Sequence, residues 1–127
     1  MSEVVVTSLT NLRNEVRYGA GHSFITDEPI TAGGEDAGPD PYTLLLAALG
    51  SCISMTVTLY ARRKQWPLDR IEARLNRQPP QGKIATIALE LMLGGDLDEE
   101  QKRRLLQIAE RCPVHRTLTE SVQITHA

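Results

Sequence analysis

Residues 41–66 read PYTLLLAALGSCISMTVTLYARRKQW and contain the longest apolar run of the chain. Its residues 42–61 carry no charge, and three cations, Arg62, Arg63 and Lys64, end the apolar run. A thiol, Cys52, lies near the centre. A segment of this length and composition is compatible with a membrane span, with a buried core helix, or with a helix that carries chemistry.

The boundaries of this segment are typical of an α-helix. Asp40 supplies an N-cap and Pro41 a first helical residue, while Pro67 disfavours helix at the residue before it. We predict a helix over about 41–65. Hydroxyl side chains, Gly50 and several alanines dilute its hydrophobicity, and the predicted strands have apolar faces that need a cover. The sequence therefore favours a buried helix, and we expect no membrane partner.

The rest of the chain carries strand and helix patterns. Alternating and β-branched residues predict strands, and Asp98 with Gln101 resembles a capping box that starts a second helix. The predicted order is strands over 3–9, 13–18 and 22–26, an acidic Gly/Pro loop over 27–41, the long helix, strands over 71–76 and 84–93 around a turn at 79–82, helices over 98–111 and 113–119, and a strand at 122–124. This order defines an α+β fold, which we interpret as one domain spanning residues 1–127.

Small residues on the long helix predict close packing against a second helix. Ala47, Ser51, Ser54 and Thr58 lie on one stripe with Gly50 beside them, and small side chains let two backbones approach. A helix of this length spans about 37 Å, more than a small domain buries. We therefore expect a homodimer in which this helix packs against its own copy.

Composition argues against nucleic acid as a partner. The 127 residues carry a net charge of −2 with both signs interspersed, so no basic excess exists to neutralise the phosphates of nucleic acid.

The N-terminus lacks the basic and apolar regions of a secretory leader. Two cysteines in such a chain are typical of a reducing compartment, and we expect a cytoplasmic protein.

The residues alone leave the role of Cys52 open between a core cysteine and a reactive thiol. It lies about three turns into the helix, beyond the reach of the helix dipole, and burial disfavours a thiolate. A reactive Cys52 therefore needs a cation from elsewhere. The candidate donors are Arg13, Arg17, His22 and basic residues of a partner subunit.

Cys112 is open to the same two interpretations. It completes an apolar stripe on the second helix, and it precedes Pro113, so it is a candidate cap for the next helical turn, where backbone N–H groups favour thiolate. Cys112 and His115 fall short of a four-ligand zinc site even with Cys52, and we expect no metal. A disulfide between the two cysteines is best understood as transient in a reducing compartment.

The run GGEDAGPDPYTLLLAALGSCISMTV (33–57), followed by ERCPVH (110–115), resembles the OsmC/Ohr family, whose name joins osmotic induction and organic hydroperoxide resistance. The resemblance covers nearly the whole chain and indicates a shorter OsmC-like branch. It implies an OsmC-like fold, in which antiparallel sheets wrap a long central cysteine-bearing helix, and an intertwined homodimer with active sites at the dimer interface.

The same resemblance implies thiol peroxidase chemistry. Cys52 would attack an organic hydroperoxide and become a sulfenic acid. Cys112 would condense with it to a disulfide, and a small dithiol or a thiol protein would restore both thiols. No metal or organic cofactor is required.

The activating groups differ from the family pattern. The family's peroxidases use an N-terminal arginine held by a glutamate just after the Asn/Asp-Pro at the helix start, and that glutamate position is Tyr42 here. Arg13 and Arg17 are the candidate arginines. His22 and Glu35 are candidate polar groups of the site.

Two other functions stay open beside the peroxidase. Loss of the glutamate at position 42 favours a binding or sensing protein that holds a small hydrophobic or electrophilic ligand in an apolar pocket at the dimer interface. A purely structural dimer, with both thiols filling core space, is the third interpretation.

Overall fold

A computed structural model describes residues 3–126 of the chain. It confirms the α+β class, with two antiparallel sheets and three α-helices in the described part. The elements are β1 (Val4–Ser8), β2 (Asn14–Tyr18), β3 (His22–Thr26), α1 (Pro41–Lys64), β4 (Leu68–Gln81), β5 (Ile84–Gly95), α2 (Glu99–Ala109) and α3 (Pro113–Thr119). The chain forms two compact units, residues 1–45 and 46–127, and α1 begins in the first and continues in the second. The single-domain interpretation stays a prediction.

The first unit is built on a three-stranded antiparallel sheet in the order β1-β2-β3. Val16, at its centre, pairs with Val6 on one side and Phe24 on the other, and its side chain is buried. The edge strand β1 is exposed along its whole length. The three strands predicted from β-branched alternation are confirmed.

A loop ordered by one carboxylate joins β3 to α1. The Asp27 side chain is buried and accepts hydrogen bonds from the backbone N–H groups of Glu28, Glu35 and Ala37, at 2.8, 3.1 and 3.1 Å. Gly34 allows the loop to close, because a Cβ there would lie 2.0 Å from the Glu28 carbonyl oxygen. The acidic Gly/Pro segment is therefore a folded loop around Asp27.

The start of α1 has the predicted cap. The Asp40 carboxylate accepts hydrogen bonds from the Thr43 hydroxyl and from the Thr43 backbone N–H, and the first of these contributes most to lowering the pKa of Asp40. The Asp40 carbonyl also accepts from the Leu44 N–H at 3.1 Å. The predicted N-cap is confirmed.

The second unit contains a long hairpin. β4 and β5 pair with Leu75 opposite Leu89, and Gly82, with φ +62°, lies between the two strands. The predicted turn over 79–82 is too wide, because Pro79 and Pro80 belong to β4 and cause only an irregular register. A proline is tolerated there because it lacks only one ladder donor.

One face of α1 forms the core of this unit. Leu49, Ile53, Val57 and Ala61 recur every four residues, are buried, and pack in one cluster with residues of the second helix, among them Leu105. Burial of side chains such as Ile53 and Leu105 contributes about 2 kcal/mol each before entropy is counted. The predicted core helix is confirmed.

The opposite face of α1 carries exposed apolar side chains. Met55 and Leu59, one turn apart, are 64% and 62% exposed. Gly50 does not belong to this face, because it is buried and a Cβ there would lie 2.8 Å from Leu75 Cδ1 of β4. Its small size therefore serves the packing of α1 on the hairpin. Of the predicted stripe, Ser51 is exposed and Thr58 is half-buried.

By length and composition, α1 is also able to cross a membrane, a property that core helices of soluble proteins share. The expectation of no membrane partner stays a prediction.

Of the three elements predicted after the hairpin, the two helices form and the strand does not. The Asp98–Gln101 capping box is present in both directions, at 2.7 and 3.0 Å, and α3 forms as predicted. The predicted strand at 122–124 is wrong, since these residues have no regular structure and Val122 and Ile124 are 60% and 80% exposed. Alternating apolar residues form a strand only where a partner strand accepts their hydrogen bonds.

Candidate functional site: the cysteine pair

The structure brings the two cysteines together. Cys52 lies in the middle of α1 and is half-buried, while Cys112 directly precedes α3 and is fully buried. Both are free thiols that pack in the same apolar cluster, and the Cys52 side chain is close enough to affect the pKa of Cys112. Two residues sixty positions apart in sequence therefore form one thiol pair.

Cys112 caps α3. Its Sγ accepts a hydrogen bond from the His115 backbone N–H at 3.2 Å, and Pro113 occupies the first helical position. Both interpretations of this residue, buried and capping, hold at once.

The cap does not make Cys112 a thiolate. Burial raises the pKa of Cys112 most, the neighbouring Cys52 side chain raises it further, and the backbone N–H groups of His115 and Val114 only partly oppose this. The N–H groups at the helix start therefore favour thiolate as expected, but desolvation outweighs them. The Cys112 thiol is thus harder to ionise than an ordinary cysteine.

An apolar cavity of about 330 Å³ begins at the turn that Cys112 caps. His115, Leu118 and Thr119 of α3 line one side. The other side comes from Leu49 of α1 and from residues 84–87 and Leu89 of β5. The Nδ1 atom of His115 is buried and has no hydrogen-bond partner among residues 3–126. The cavity therefore offers a mainly apolar wall.

The other predicted site residues lie in the first unit or in the first turn of α1. Arg13 donates to Glu35 at 2.7 Å, so these two are brought together. Arg17 instead donates to Glu15 of the same strand at 3.0 Å, and His22 stacks on Tyr18 with ring centroids 5.2 Å apart. Tyr42 is half-buried in the first turn of α1.

Arg13 has an unused donor. Its guanidinium is fixed by Glu35, and its Nε is buried with no hydrogen-bond partner in the described part of the chain. Both side chains of this ion pair are partly exposed, so the pair itself contributes little stability. What the pair provides is a positioned positive charge.

Two features of the structure were not predicted from the sequence. Asp27 gives no sequence signal beyond its place at the end of a strand. Tyr60 and Trp66 bracket the basic run that ends α1, and a basic run between two aromatics was the available signal. Across residues 3–126, no group of three His, Cys, Asp or Glu side chains is arranged to hold a metal ion.

We expect Asp27→Asn to destabilise the protein at neutral pH and to lose that effect in acid. Burial raises the pKa of Asp27, but three backbone N–H donors and the Arg13 charge together hold it below its ordinary value of 3.8. A lowered folded-state pKa gives stability that is present above about pH 4 and is lost as pH falls through that lower value. Thermal unfolding midpoints between about pH 7 and pH 3 measure this.

Asp96→Asn is the matched control, because Asp96 is exposed. Its midpoint should follow the parent at every pH. A constant gap between Asp27→Asn and the parent down to the lowest pH would contradict the role given to the Asp27 charge.

The family of the chain follows from comparison with known proteins. The family model for OsmC-like proteins matches residues 33–127, which include the loop, α1 and both cysteines. The chain therefore belongs to the OsmC-like family, and the resemblance noted in the sequence is confirmed. No curated protein gives a significant match.

Solved structures share the fold at low identity. An OsmC-like protein from Mycoplasma pneumoniae has 18% identity and a TM-score of 0.73, with 94% of this chain and 86% of that chain covered. An organic hydroperoxide resistance protein OsmC from Legionella pneumophila has 18% identity and a TM-score of 0.69, with 93% and 88% covered. The organic hydroperoxide resistance protein OhrB of Bacillus subtilis has 20% identity and a TM-score of 0.62, with 91% and 88% covered.

Proposed function

We propose that this protein is a thiol-dependent peroxidase that reduces organic hydroperoxides and protects against oxidative stress. The observation that carries the proposal is the pair of free thiols, Cys52 and Cys112, packed in one apolar cluster. Fold similarity to organic hydroperoxide resistance proteins supports it.

The reaction has three steps. The Cys52 thiol loses its proton, and the thiolate attacks the terminal oxygen of the hydroperoxide. The O–O bond breaks, Cys52 becomes a sulfenic acid, and the alkoxide takes up the proton that the thiol lost and leaves as an alcohol. The Cys112 thiol then attacks the sulfenic sulfur, forming a disulfide and releasing water. A dithiol, either small or carried by a protein, reduces this disulfide to two thiols and becomes a disulfide itself.

The burial of the two thiols supports a division of roles. Cys112 is fully buried with a raised pKa, which makes it a poor first nucleophile. Cys52 is partly accessible. We therefore give Cys52 the attacking role and Cys112 the resolving role.

The cavity beside α3 supports a preference for organic peroxides. Its apolar residues, including Leu89 and Leu118, match an alkyl or aryl tail. His115 lines the same cavity and also contacts the Cys112 sulfur through its backbone. A tail seated there lies one helical turn from the resolving thiol.

Peroxide consumption with a dithiol tests the function. Reduced protein with a dithiol should consume cumene hydroperoxide faster than hydrogen peroxide, because only the former has a tail to bury. A protein that consumes neither peroxide faster than the dithiol alone would reject the proposal.

The second candidate function is a binding or sensing protein for a small hydrophobic ligand. The apolar cavity and the unpaired His115 Nδ1 favour it. It predicts saturable binding of an unreactive tail analogue, such as cumyl alcohol, without peroxide consumption. Tail binding together with turnover supports the enzyme instead.

We infer that Arg13 is the arginine that the family resemblance requires for activity, with Glu35 as its carboxylate partner. Arg13 donates a hydrogen bond to Glu35, whereas the exposed Arg17 pairs with Glu15 of its own strand. Arg13→Ala should lower kcat/KM for cumene hydroperoxide about tenfold or more, and Glu35→Gln should lower it in the same direction.

Arg17→Ala is the matched control and should retain the parent's kcat/KM. The second readout is the pH dependence of Cys52 alkylation, which should move to higher pH in Arg13→Ala only. Equal losses in the two arginine variants would refute this assignment.

We also propose that the protein is a cytoplasmic homodimer in which the exposed face of α1 packs against a second copy. Met55 and Leu59 give this face an apolar surface that a monomer leaves in water. The parent should therefore have about twice the 14.1 kDa mass of one chain in light scattering.

Leu59→Arg should shift that mass toward one chain, because a charge would be buried in the interface. Leu106→Arg, at a 46% exposed leucine of α2, should leave it unchanged. A monomeric parent would rule out the dimer.

A further inference from the structure

An aromatic pair lies at the end of α1, outside the cysteine site. The rings of Tyr60 and Trp66 meet edge to face, with centroids 5.6 Å apart. Gln65, at φ +60°, turns the chain after α1, and the Trp66 N–H donates to the Ala61 carbonyl at 2.9 Å. Both rings also pack against the apolar core, which fixes them in place.

Three cations surround Tyr60. Arg63 Cζ, Lys64 Nζ and Arg104 Cζ lie 5.3, 5.7 and 5.6 Å from its ring centroid, and Arg104 Nε donates to the hydroxyl at 3.1 Å. None of the three forms a salt bridge within residues 3–126. The charge beside the ring is therefore not neutralised by the chain.

The lowered pKa of Tyr60 agrees with a positive electrostatic potential around its hydroxyl. The hydrogen bond from Arg104 lowers the pKa of Tyr60 most, burial opposes it, and the charges of Arg104, Lys64 and Arg63 lower it further. A negatively charged group is thus stabilised beside Tyr60.

An open cavity of about 560 Å³ lies against this cluster. Tyr60, Lys64, Trp66 and Arg104 line it, together with Gln101 and Gln107. Arg103, Asp98 and Glu100 complete its polar edge, so cations exceed acids by one. The Asp98 carboxylate is already occupied, because it accepts the Gln101 backbone N–H at 2.7 Å.

Stabilisation of the α1 dipole explains only part of this arrangement. Cations in the last turn of a helix are favourable, which accounts for Arg63 and Lys64. Arg104 lies in the middle of α2, and its bond to Tyr60 has no such cause. Arg104 also donates to the Gln107 side chain at 3.2 Å, and within residues 3–126 it has no carboxylate partner. A cavity with a planar apolar wall and such a cation on a second element fits a ligand better than it fits helix capping.

We propose that this cavity binds a small organic anion with a planar apolar body. Its carboxylate or phosphate group pairs with Arg104 and Lys64, and its planar body packs against Trp66 and Tyr60. Guanidinium groups bind both anions through paired N–H donors, and an aromatic wall holds a flat ligand without further hydrogen bonds.

Trp66 makes the site directly observable, because it is the single tryptophan of the chain. Its fluorescence should change in a saturable way on titration with benzoate or phenyl phosphate, and not with neutral benzamide. The tighter of the two anions identifies the preferred acid group. The affinity should fall as salt is added.

Arg104→Gln and Lys64→Gln should each weaken binding about tenfold, since each removes one charged contact. Arg70→Gln, at an exposed arginine paired with Glu72 on the hairpin, should bind like the parent. The proposal fails if neither anion gives a saturable change, if benzamide gives the same change, or if Arg104→Gln and Lys64→Gln both bind as the parent does.

Discussion

Cys52→Ser is expected to abolish dithiol-dependent reduction of cumene hydroperoxide, with a loss of about 1000-fold or more in kcat/KM. A serine hydroxyl has a far higher pKa than a thiol and cannot act as an anionic nucleophile toward a peroxide. Since Cys112 is fully buried and keeps its proton, it cannot replace Cys52 as the attacking group. The measurement is peroxide consumption at fixed dithiol concentration.

Ser51→Ala is the matched control, because Ser51 is the neighbouring residue on α1 and is exposed. It should retain the parent's rate and thermal midpoint. If Cys52→Ser consumes peroxide as fast as the parent, the peroxidase assignment is wrong, and the binding protein with its cavity beside α3 becomes the better interpretation.

Local patterns predicted most of the secondary structure. The Asp40 cap, the apolar period of α1 and the Asp98–Gln101 box act over three or four residues, and each forms as expected. The strand at 122–124 failed because strand formation depends on a partner that local alternation does not reveal. The turn at Pro79-Pro80 failed because an irregular hairpin register accommodates both prolines.

For the candidate site, the sequence offers the two cysteines but not their surroundings. It names Cys52 and Cys112 as candidates, and the helix-capping position that it offers for Cys112 is present in the structure. The direction of the Cys112 pKa depends on how deeply the sulfur is buried and on its contact with Cys52, which only three-dimensional packing fixes. The Arg13–Glu35 pair likewise depends on loop folding around Asp27.

Cys112→Ser tests the second thiol without removing the first. A serine hydroxyl at this position still accepts the His115 N–H, so the cap of α3 and the fold should persist. The variant should consume one equivalent of cumene hydroperoxide per chain at the parent's initial rate. Steady-state turnover with the dithiol should then fall about 100-fold, because no protein thiol resolves the sulfenic acid.

The oxidation products of the cysteines distinguish the loss of a resolving thiol from a general loss of activity. Dimedone should trap a sulfenic acid at Cys52 in Cys112→Ser, and excess peroxide should convert it to the sulfinic acid, whereas the parent should form a disulfide instead. Mass spectrometry of the two proteins after one equivalent of peroxide distinguishes them. Full turnover in Cys112→Ser would mean that the external dithiol reduces the sulfenic acid directly, and Cys112 would then be a packing residue that caps α3.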